Sequence, residues 1–345
     1  MQTALNFELP DQLNASSPPE RRGLRRDFVR MLVLNRTNGA VNHSTFFHLD
    51  KFLGAGDVLV LNNSRTVPAI LYGEQLRGHN EVKKRVEIRL AHRLTESSWE
   101  ALVVNDDVMA GDRLMISPTL CATVKERADR EPFFLLQFSL KGSELYEQIY
   151  SLGEPIRYEY ITEPWGLDYY QTVYAAQPGS VEMPSAGRAF SWELLLKLQR
   201  KGIKVAFIQL HTGLSYLLDD KYHQQPSENN ESYDVPPETV KIIREAKRNG
   251  NRVIAVGTTV VRALETVANE GDILSSQTGW TNLYITKNYP LQIVDGLITG
   301  FHEPEASHLQ LLSAFINEGY LMEAYQQAIE EGYLWHEFGD MNMIL

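Results

Sequence analysis

Two histidines, His211 and His302, each follow a short apolar run, Lys204 to Leu210 and Leu297 to Ile298. Each is thereby placed where a strand gives way to a loop. A histidine at such a place is either a proton-exchanging group near neutral pH or a hydrogen-bonded structural one. A third polar set lies in the stretch Arg252 to Thr266, where Val253 to Val256 form a continuous apolar run too short for a helix and rich in β-branched residues. Gly257 breaks that run, Thr258 and Thr259 are helix-capping types, and Val260, Val261, Leu264 and Val267 recur at helical spacing. The unit reads as strand, tight turn and helix, with two hydroxyls, unpaired N–H groups and the Arg262 guanidinium facing a strand end. That chemistry suits a polar or anionic ligand group. A fourth set, Asn62, Asn63, Ser64 and Arg65, closes the apolar run Val58 to Leu61; such residues are ligand contacts or simply turn formers.

These sets need a sheet to present them. Strands alternate with helices before about residue 66 and after about 152, which is the pattern of an α/β fold. Between these pieces the chain offers evenly spaced short strands: Ala69 to Leu71, Arg85 to Leu90, Trp99 to Val104, Leu114 to Ile116, Leu120 to Lys125 and Phe133 to Phe138. That spacing predicts a small antiparallel β-barrel over 67–151, inserted into a larger α/β domain built from segments 1–66 and 152–345. In the second segment, Ser191 caps a helix that buries Leu194, Leu195 and Leu198, and Pro237 starts another that ends at Asn249-Gly250. Leu291 to Val294 with Leu297 to Ile298 reads as a late strand region carrying Asp295, and the tail from Tyr333 as a final strand and turn. Tyr158, Tyr160, Trp165, Tyr169, Tyr170 and Tyr174 either stack on bases or pack a core.

Composition narrows the class. The 345-residue chain is 43% hydrophobic and 22% charged, and its net charge of −11 argues against a protein that grips nucleic acid everywhere through phosphates. Local basic clusters remain: Arg21, Arg22, Arg25, Arg26 and Arg30; Lys83, Lys84 and Arg85; and Lys241, Arg244, Lys247 and Arg248. Apolar runs are strand-sized and the first 20 residues hold nothing like a secretory segment, so a cytoplasmic protein with no membrane partner is expected. Cys121 is the only cysteine, so an internal disulfide is excluded, and buried packing is its expected role. His302, Glu303, Glu305 and His308 lie close together without a zinc-motif spacing, and no metal is expected. Serine-hydrolase, P-loop and common dinucleotide fingerprints are absent.

Ten stretches carry a resemblance that runs along nearly the whole chain. In order they are N-N-S-R-T-V-P-A (62 to 69), Y-Q-T-V-Y-A (170 to 175), P-S-A-G (184 to 187), L-H-T-G-L (210 to 214), Y-D-V-P (233 to 236), G-T-T-V-V-R-A-L-E (257 to 265), G-W-T-N (279 to 282), D-G-L-I-T-G-F-H-E-P (295 to 304), L-L-S-A-F (311 to 315) and G-D-M-N-M-I-L (339 to 345). Together they identify the chain as a divergent member of the S-adenosylmethionine:tRNA ribosyltransferase-isomerase family of queuosine biosynthesis.

The resemblance implies transfer of the ribosyl group of S-adenosylmethionine, a co-substrate and not a bound cofactor, to the aminomethyl arm of a 7-deazaguanine in the tRNA anticodon loop. Adenine and methionine leave and an epoxycyclopentanediol forms. The sulfonium acidifies its neighbouring 5′ carbon, so a base, oriented polar groups and exclusion of water suffice. The resemblance implies catalytic roles for His211, His302 and Arg262, with His211 or His302 as the base and Arg262, beside Thr258 and Thr259, holding a methionine carboxylate or a tRNA phosphate. It assigns substrate contacts to Asn62, Arg65, Tyr170, Gly187, Phe190, Gly213, Thr258, Thr259, Trp280, Asp295 and Asp340, with Trp280 or Tyr170 stacking on a base. Alternatives are a paralogue acting on another nucleoside or small molecule, and a non-catalytic nucleotide- or tRNA-binding relative.

The chain departs from the family pattern at polar loop positions. Thr-Ala-Gly-Leu-His-Phe becomes Ser185 to Phe190, with Ala189 in place of histidine, and Pro-Pro-Tyr-Ile becomes Tyr158 to Ile161. Asn63 replaces an aspartate, Phe-His-Leu-Pro carries Glu303, and Ser-Tyr-Gly-Asp-Ala-Met becomes Glu337 to Asn342. A Gly-Thr-Phe is replaced around Ser215, Tyr216 and Leu217.

Overall fold

A computed structural model describes residues 7–105, 107–215, 229–269, 276–304 and 306–345. Tyr216, Leu217 and Glu305 lie outside these residues. The first segment supplies β1 (Arg30–Leu34), β2 (Val41–Thr45), β3 (Val58–Asn62) and β4 (Ser64–Thr66). Next come β5 (Ile70–Arg77), β6 (Asn80–Arg93), β7 (Ser98–Val103), β8 (Arg113–Met115), β9 (Cys121–Arg127) and β10 (Phe134–Phe138), followed by α1 (Gly142–Leu152). The remainder contains β11 (Gln177–Ser180), α2 (Trp192–Arg200), β12 (Lys204–Leu210), β13 (Glu231–Val235), α3 (Pro237–Arg248), β14 (Val253–Val256) and α4 (Thr258–Asn269). It ends with β15 (Gln277–Thr281), β16 (Gly296–Gly300), α5 (Ser307–Leu312), α6 (Glu318–Glu330) and β17 (Met341–Ile344).

Among the described residues nine strands form one mixed sheet in the order β15-β13-β12-β3-β14-β16-β17-β1-β2. Its centre, β12-β3-β14-β16, is parallel throughout. Every residue of β3 and β14 is buried because helices cover both faces. Val58, Val60, Val253 and Ala255 pack with Val240 and Ile243 of α3 and Val260 and Leu264 of α4, while Leu59, Leu61, Ile254 and Val256 pack with Leu194, Leu195 and Leu198 of α2. Alternation along each strand thus feeds two cores, and both depend on the same four central strands. Ser191 caps α2, its hydroxyl accepting from the Leu194 amide (3.0 Å) and donating to Asp27 (2.5 Å).

The inserted strands close into a six-stranded antiparallel barrel, β10-β7-β6-β5-β8-β9. All six expected strands are present; β5 and β6 run further than the apolar pattern suggests because they extend as a polar hairpin turning at Gly78. α1 has no counterpart in the sequence reading; it plugs the barrel with Leu145 and Ile149. Val181 and Leu214 of the α/β part also enter the barrel core, so the two parts share packed side chains. The expected strand over Leu291 to Val294 does not form. That segment is irregular and tied down by Glu265, whose carboxylate accepts the amides of Gln292, Ile293 and Val294. Cys121 is half-buried and not fully packed away.

Among the described residues no helix is long and apolar enough to cross a membrane, and no group of three or more His, Cys, Asp or Glu side chains is arranged to hold a metal ion.

Candidate active site

The parallel strands end side by side, and their carboxyl ends deliver Asn62, His211, Gly257 and His302 to one edge of the sheet. Gly257 has φ +94, a left-handed conformation that turns β14 directly into α4, and its amide donates to the Ile298 carbonyl (2.8 Å). Asn62 stitches the edge together. Its Nδ2 donates to the Leu210 carbonyl (2.8 Å) and to Thr259 Oγ1 (3.4 Å), and its Oδ1 accepts from the Leu210 and Ser64 amides (each 3.1 Å). The side-chain amide is thereby committed to fixing two strand ends and the first turn of α4.

His211 lies over Gly179, where a Cβ would come within 2.6 Å of its ring. Its Nδ1 is 3.2 Å from Ser64 Oγ, which is hydrogen-bonded to Ser180 Oγ, and Ser180 Oγ accepts the Thr212 amide (3.1 Å). Loss of water, reinforced by the Arg93 charge from the barrel, lowers the imidazole pKa to about 4. The ring is neutral at physiological pH and able to accept a proton. His302, half-buried, meets Thr299 Oγ1 at 2.8 Å through Nε2 and stacks on His308 at 4.7 Å. Desolvation and then repulsion from His308 and His336 hold it well below the usual imidazole range, although His308 itself keeps an exposed edge.

Gly213 and Arg262 belong to one buried construction. The Gly213 amide donates to Glu231 Oε1 (3.1 Å), and Arg262 Nη1 donates to Glu231 Oε2. Arg262 also donates to the Leu283 carbonyl (3.0 Å). Its fork is consumed in holding the His211 loop against the sheet edge. Trp280, 49% exposed, stands 6.5 Å from His92 of the barrel and offers an open ring face. Arg65 is exposed and lies over the Tyr150 ring at 5.0 Å.

Four expected contacts are placed elsewhere. Asp295 precedes β16 and pairs with Val253, the first residue of β14, so it occupies the opposite edge of the sheet, where it accepts Lys247 (2.7 Å) and the Val253 amide (2.8 Å). Phe190 is fully buried beneath the edge against Phe46. Asp340 spends both oxygens on the Arg30 (2.7 Å) and Leu334 (2.8 Å) amides. Tyr170 is 3% exposed and packed on Phe338, with no free face for a base. Gly187 stays near the edge, next to Ala186, whose Cβ lies 3.4 Å from the Cβ position at Gly257. Most of the early arginines are internally paired: Arg25 with Asp27, Arg26 with Glu20, and Arg22 with the Ser17 and Phe338 carbonyls.

A second polar group, which the sequence offers only as separate departures from the family pattern, assembles beside His302. Tyr158 and Tyr160 are nearly parallel (5.7 Å, 4°), and Tyr160 stacks on His336 (4.1 Å, 14°). Tyr158 donates to Glu182 (2.9 Å), Tyr160 donates to Glu337, and Glu182 also accepts the Ser215 amide (2.6 Å) and hydroxyl (2.7 Å). His336 has φ 70, uncommon for a residue with a Cβ, and is secured by Asn14 (2.8 Å). In sequence Tyr158, Tyr160, Ser215 and Glu337 stand out as departures from the family pattern; the carboxylate partners of the two tyrosines come from remote loops.

Fold and site together define an α/β protein with a polar ligand site at the carboxyl edge of a parallel sheet, flanked by a β-barrel. The model of the family described as "Queuosine biosynthesis protein" matches residues 2–344, and the chain belongs to that family. It is 38% identical to the S-adenosylmethionine:tRNA ribosyltransferase-isomerase of Desulfitobacterium hafniense, over 99% of this chain and 98% of that protein. It is 36% identical to the enzyme of the same name from Aquifex aeolicus, with the same coverage. The crystal structure of the S-adenosylmethionine tRNA ribosyltransferase of Thermotoga maritima matches with a TM-score of 0.56 and 32% identity over 99% of both chains.

Proposed function

We propose that the protein is a cytoplasmic S-adenosylmethionine:tRNA ribosyltransferase-isomerase, transferring and isomerising the ribosyl group of S-adenosylmethionine onto the aminomethyl arm of a 7-deazaguanine in the anticodon loop. The observation that carries this is the end-to-end match to relatives of that name, joined to a neutral histidine at the sheet edge. His211 is the base for the acidified 5′ carbon. Its low proton affinity suffices because the sulfonium already stabilises the developing negative charge, and removal from water sharpens that attraction. The first turn of α4, with Thr258 and Thr259, receives the methionine carboxylate, since free N–H groups and a helix N-terminus favour an anion. Trp280 stacks on a base, and Arg65 meets the backbone of the tRNA. The barrel domain, 67–151, and the α/β domain, 1–66 with 152–345, hold the substrates between them.

Adenine release from S-adenosylmethionine is the test. Release that depends on tRNA bearing the aminomethyl base supports the reading. Release without tRNA would indicate another acceptor, and no release would leave a binding protein. His211→Ala is expected to abolish the tRNA-dependent signal.

A further inference from the structure

Glu337 is a half-buried carboxylate to which the fold gives no ion-pair partner among the described residues. Tyr160 donates to its Oε2, yet among the described residues no ion pair reaches it. The guanidinium that faces it, Arg188, is bound to Glu20 (2.7 Å) and to the Tyr169 carbonyl (2.8 Å). The other charged or titratable groups around it are Arg26, which lines the same cavity but is bound to Glu20 (3.2 Å), and Tyr158, Tyr170, Glu182 and His336, with Glu303 3.6 Å from His336. Glu182 and Glu303 add negative charge, and His336, held at about 4 by burial, is neutral. An isolated buried carboxylate is costly, and a cation arriving with the substrate removes that cost.

Of the cationic groups in the proposed reaction, the sulfonium has no N–H to donate. An alkylammonium does, and it fits an oxygen acceptor already oriented by a phenol. We propose that Glu337, oriented by Tyr160, receives the ammonium of the aminomethyl arm and takes its proton, resting on the reaction assigned above. One N–H bond breaks, one O–H bond forms on Glu337, and the electron pair stays on nitrogen for its attack on the ribosyl carbon. The direction of burial agrees: it pushes the Glu337 carboxyl up to about 7 and lowers an ammonium, bringing donor and acceptor together. Glu337 also lines a small cavity of about 10 Å³ with Arg188, Ala189, His336 and Phe338, room for about one water or one ammonium head and not for a whole base. Ala189 stands where the family pattern has histidine and Glu337 where it has serine, so a proton acceptor absent from one wall of the cleft is present on another.

The test uses anticodon stem–loops carrying either the aminomethyl base or guanine at the same position. Wild-type protein is expected to bind the aminomethyl form at least about tenfold more tightly and to release a fraction of a proton near pH 7, read by calorimetry in buffers of different ionisation enthalpy. Glu337→Gln should lose both the preference and the proton release while keeping its affinity for the guanine stem–loop and for S-adenosylmethionine. In Tyr160→Phe, loss of the phenol donor should move the acid limb of adenine release to higher pH. Retained discrimination in Glu337→Gln overturns the proposal. So does a fall in S-adenosylmethionine affinity with discrimination intact, which would assign the carboxylate to the amino-acid ammonium. Discrimination without any adenine release would refute the assigned reaction while leaving the ammonium subsite standing.

Discussion

Replacing Gly213 by alanine tests whether the barrel and the sheet edge meet as described. A Cβ at this position would lie 2.1 Å from Nε2 and 2.2 Å from Cε1 of His92, so ring or loop must retreat by roughly 1 Å or more to reach ordinary contact. The ring cannot swing away cheaply. It is 5% exposed, its Nδ1 is 2.7 Å from Arg130 Nη2 and 3.5 Å from Glu100, and Arg130 in turn donates to Asn229 (2.9 Å). Overpacking of a fixed contact costs about 1–3 kcal/mol. A displacement of that size two residues from His211 should also lower the rate of tRNA-dependent adenine release by about 100-fold. Urea unfolding and single-turnover release, each repeated in a His92→Ala background, measure the two effects. In that background most of the Gly213→Ala penalty should vanish, giving a coupling of about 1–3 kcal/mol. A neutral Gly213→Ala, or an equal cost in both backgrounds, would refute the placement of His92 against the His211 loop.

Arg262→Met leaves Glu231 buried and uncompensated and should cost about 3–5 kcal/mol in urea unfolding; partial rescue by a further Glu231→Gln would confirm that the charge is the cause. Asp295→Asn should lower stability by about 1 kcal/mol yet leave the KM for S-adenosylmethionine unchanged, because the residue lies at the opposite edge of the sheet; a raised KM would contradict that position. His211 has its folded pKa depressed to about 4, so the stability it contributes is present above the unfolded value near 6.5 and is lost as pH falls from there towards 4. Urea midpoints of wild type and His211→Gln should therefore converge across that window as the pH drops. Glu337 has the opposite sign. Its carboxyl is raised to about 7, so its contribution is lost as pH rises from 4.5 through 7, and Glu337→Gln should gain stability relative to wild type over the same interval.

Much of the architecture was legible in the residues. Short, evenly spaced apolar segments between 69 and 138 correspond to six barrel strands, because alternation and turn residues are local properties of a chain. The runs Val58 to Leu61 and Val253 to Val256 lack alternation because both faces are covered, and they are the central parallel strands. The ends of those strands could be read as a polar edge for the same reason. The residues that the fold places away from that edge share a different cause. Asp295 and Asn62 both flank apolar strands, yet one lies at the amino edge and the other at the carboxyl edge, and only strand direction in the assembled sheet separates them. Tyr170 and Trp280 are both aromatic residues in polar stretches; packing against Phe338 hides the first, while an edge strand exposes the second. The pairs Arg262–Glu231, Tyr160–Glu337 and Tyr158–Glu182 join residues 24 to 177 positions apart. Charge and hydrogen-bonding capacity are written in the sequence, but which capacities are spent internally and which remain for a substrate is decided only when the chain closes on itself.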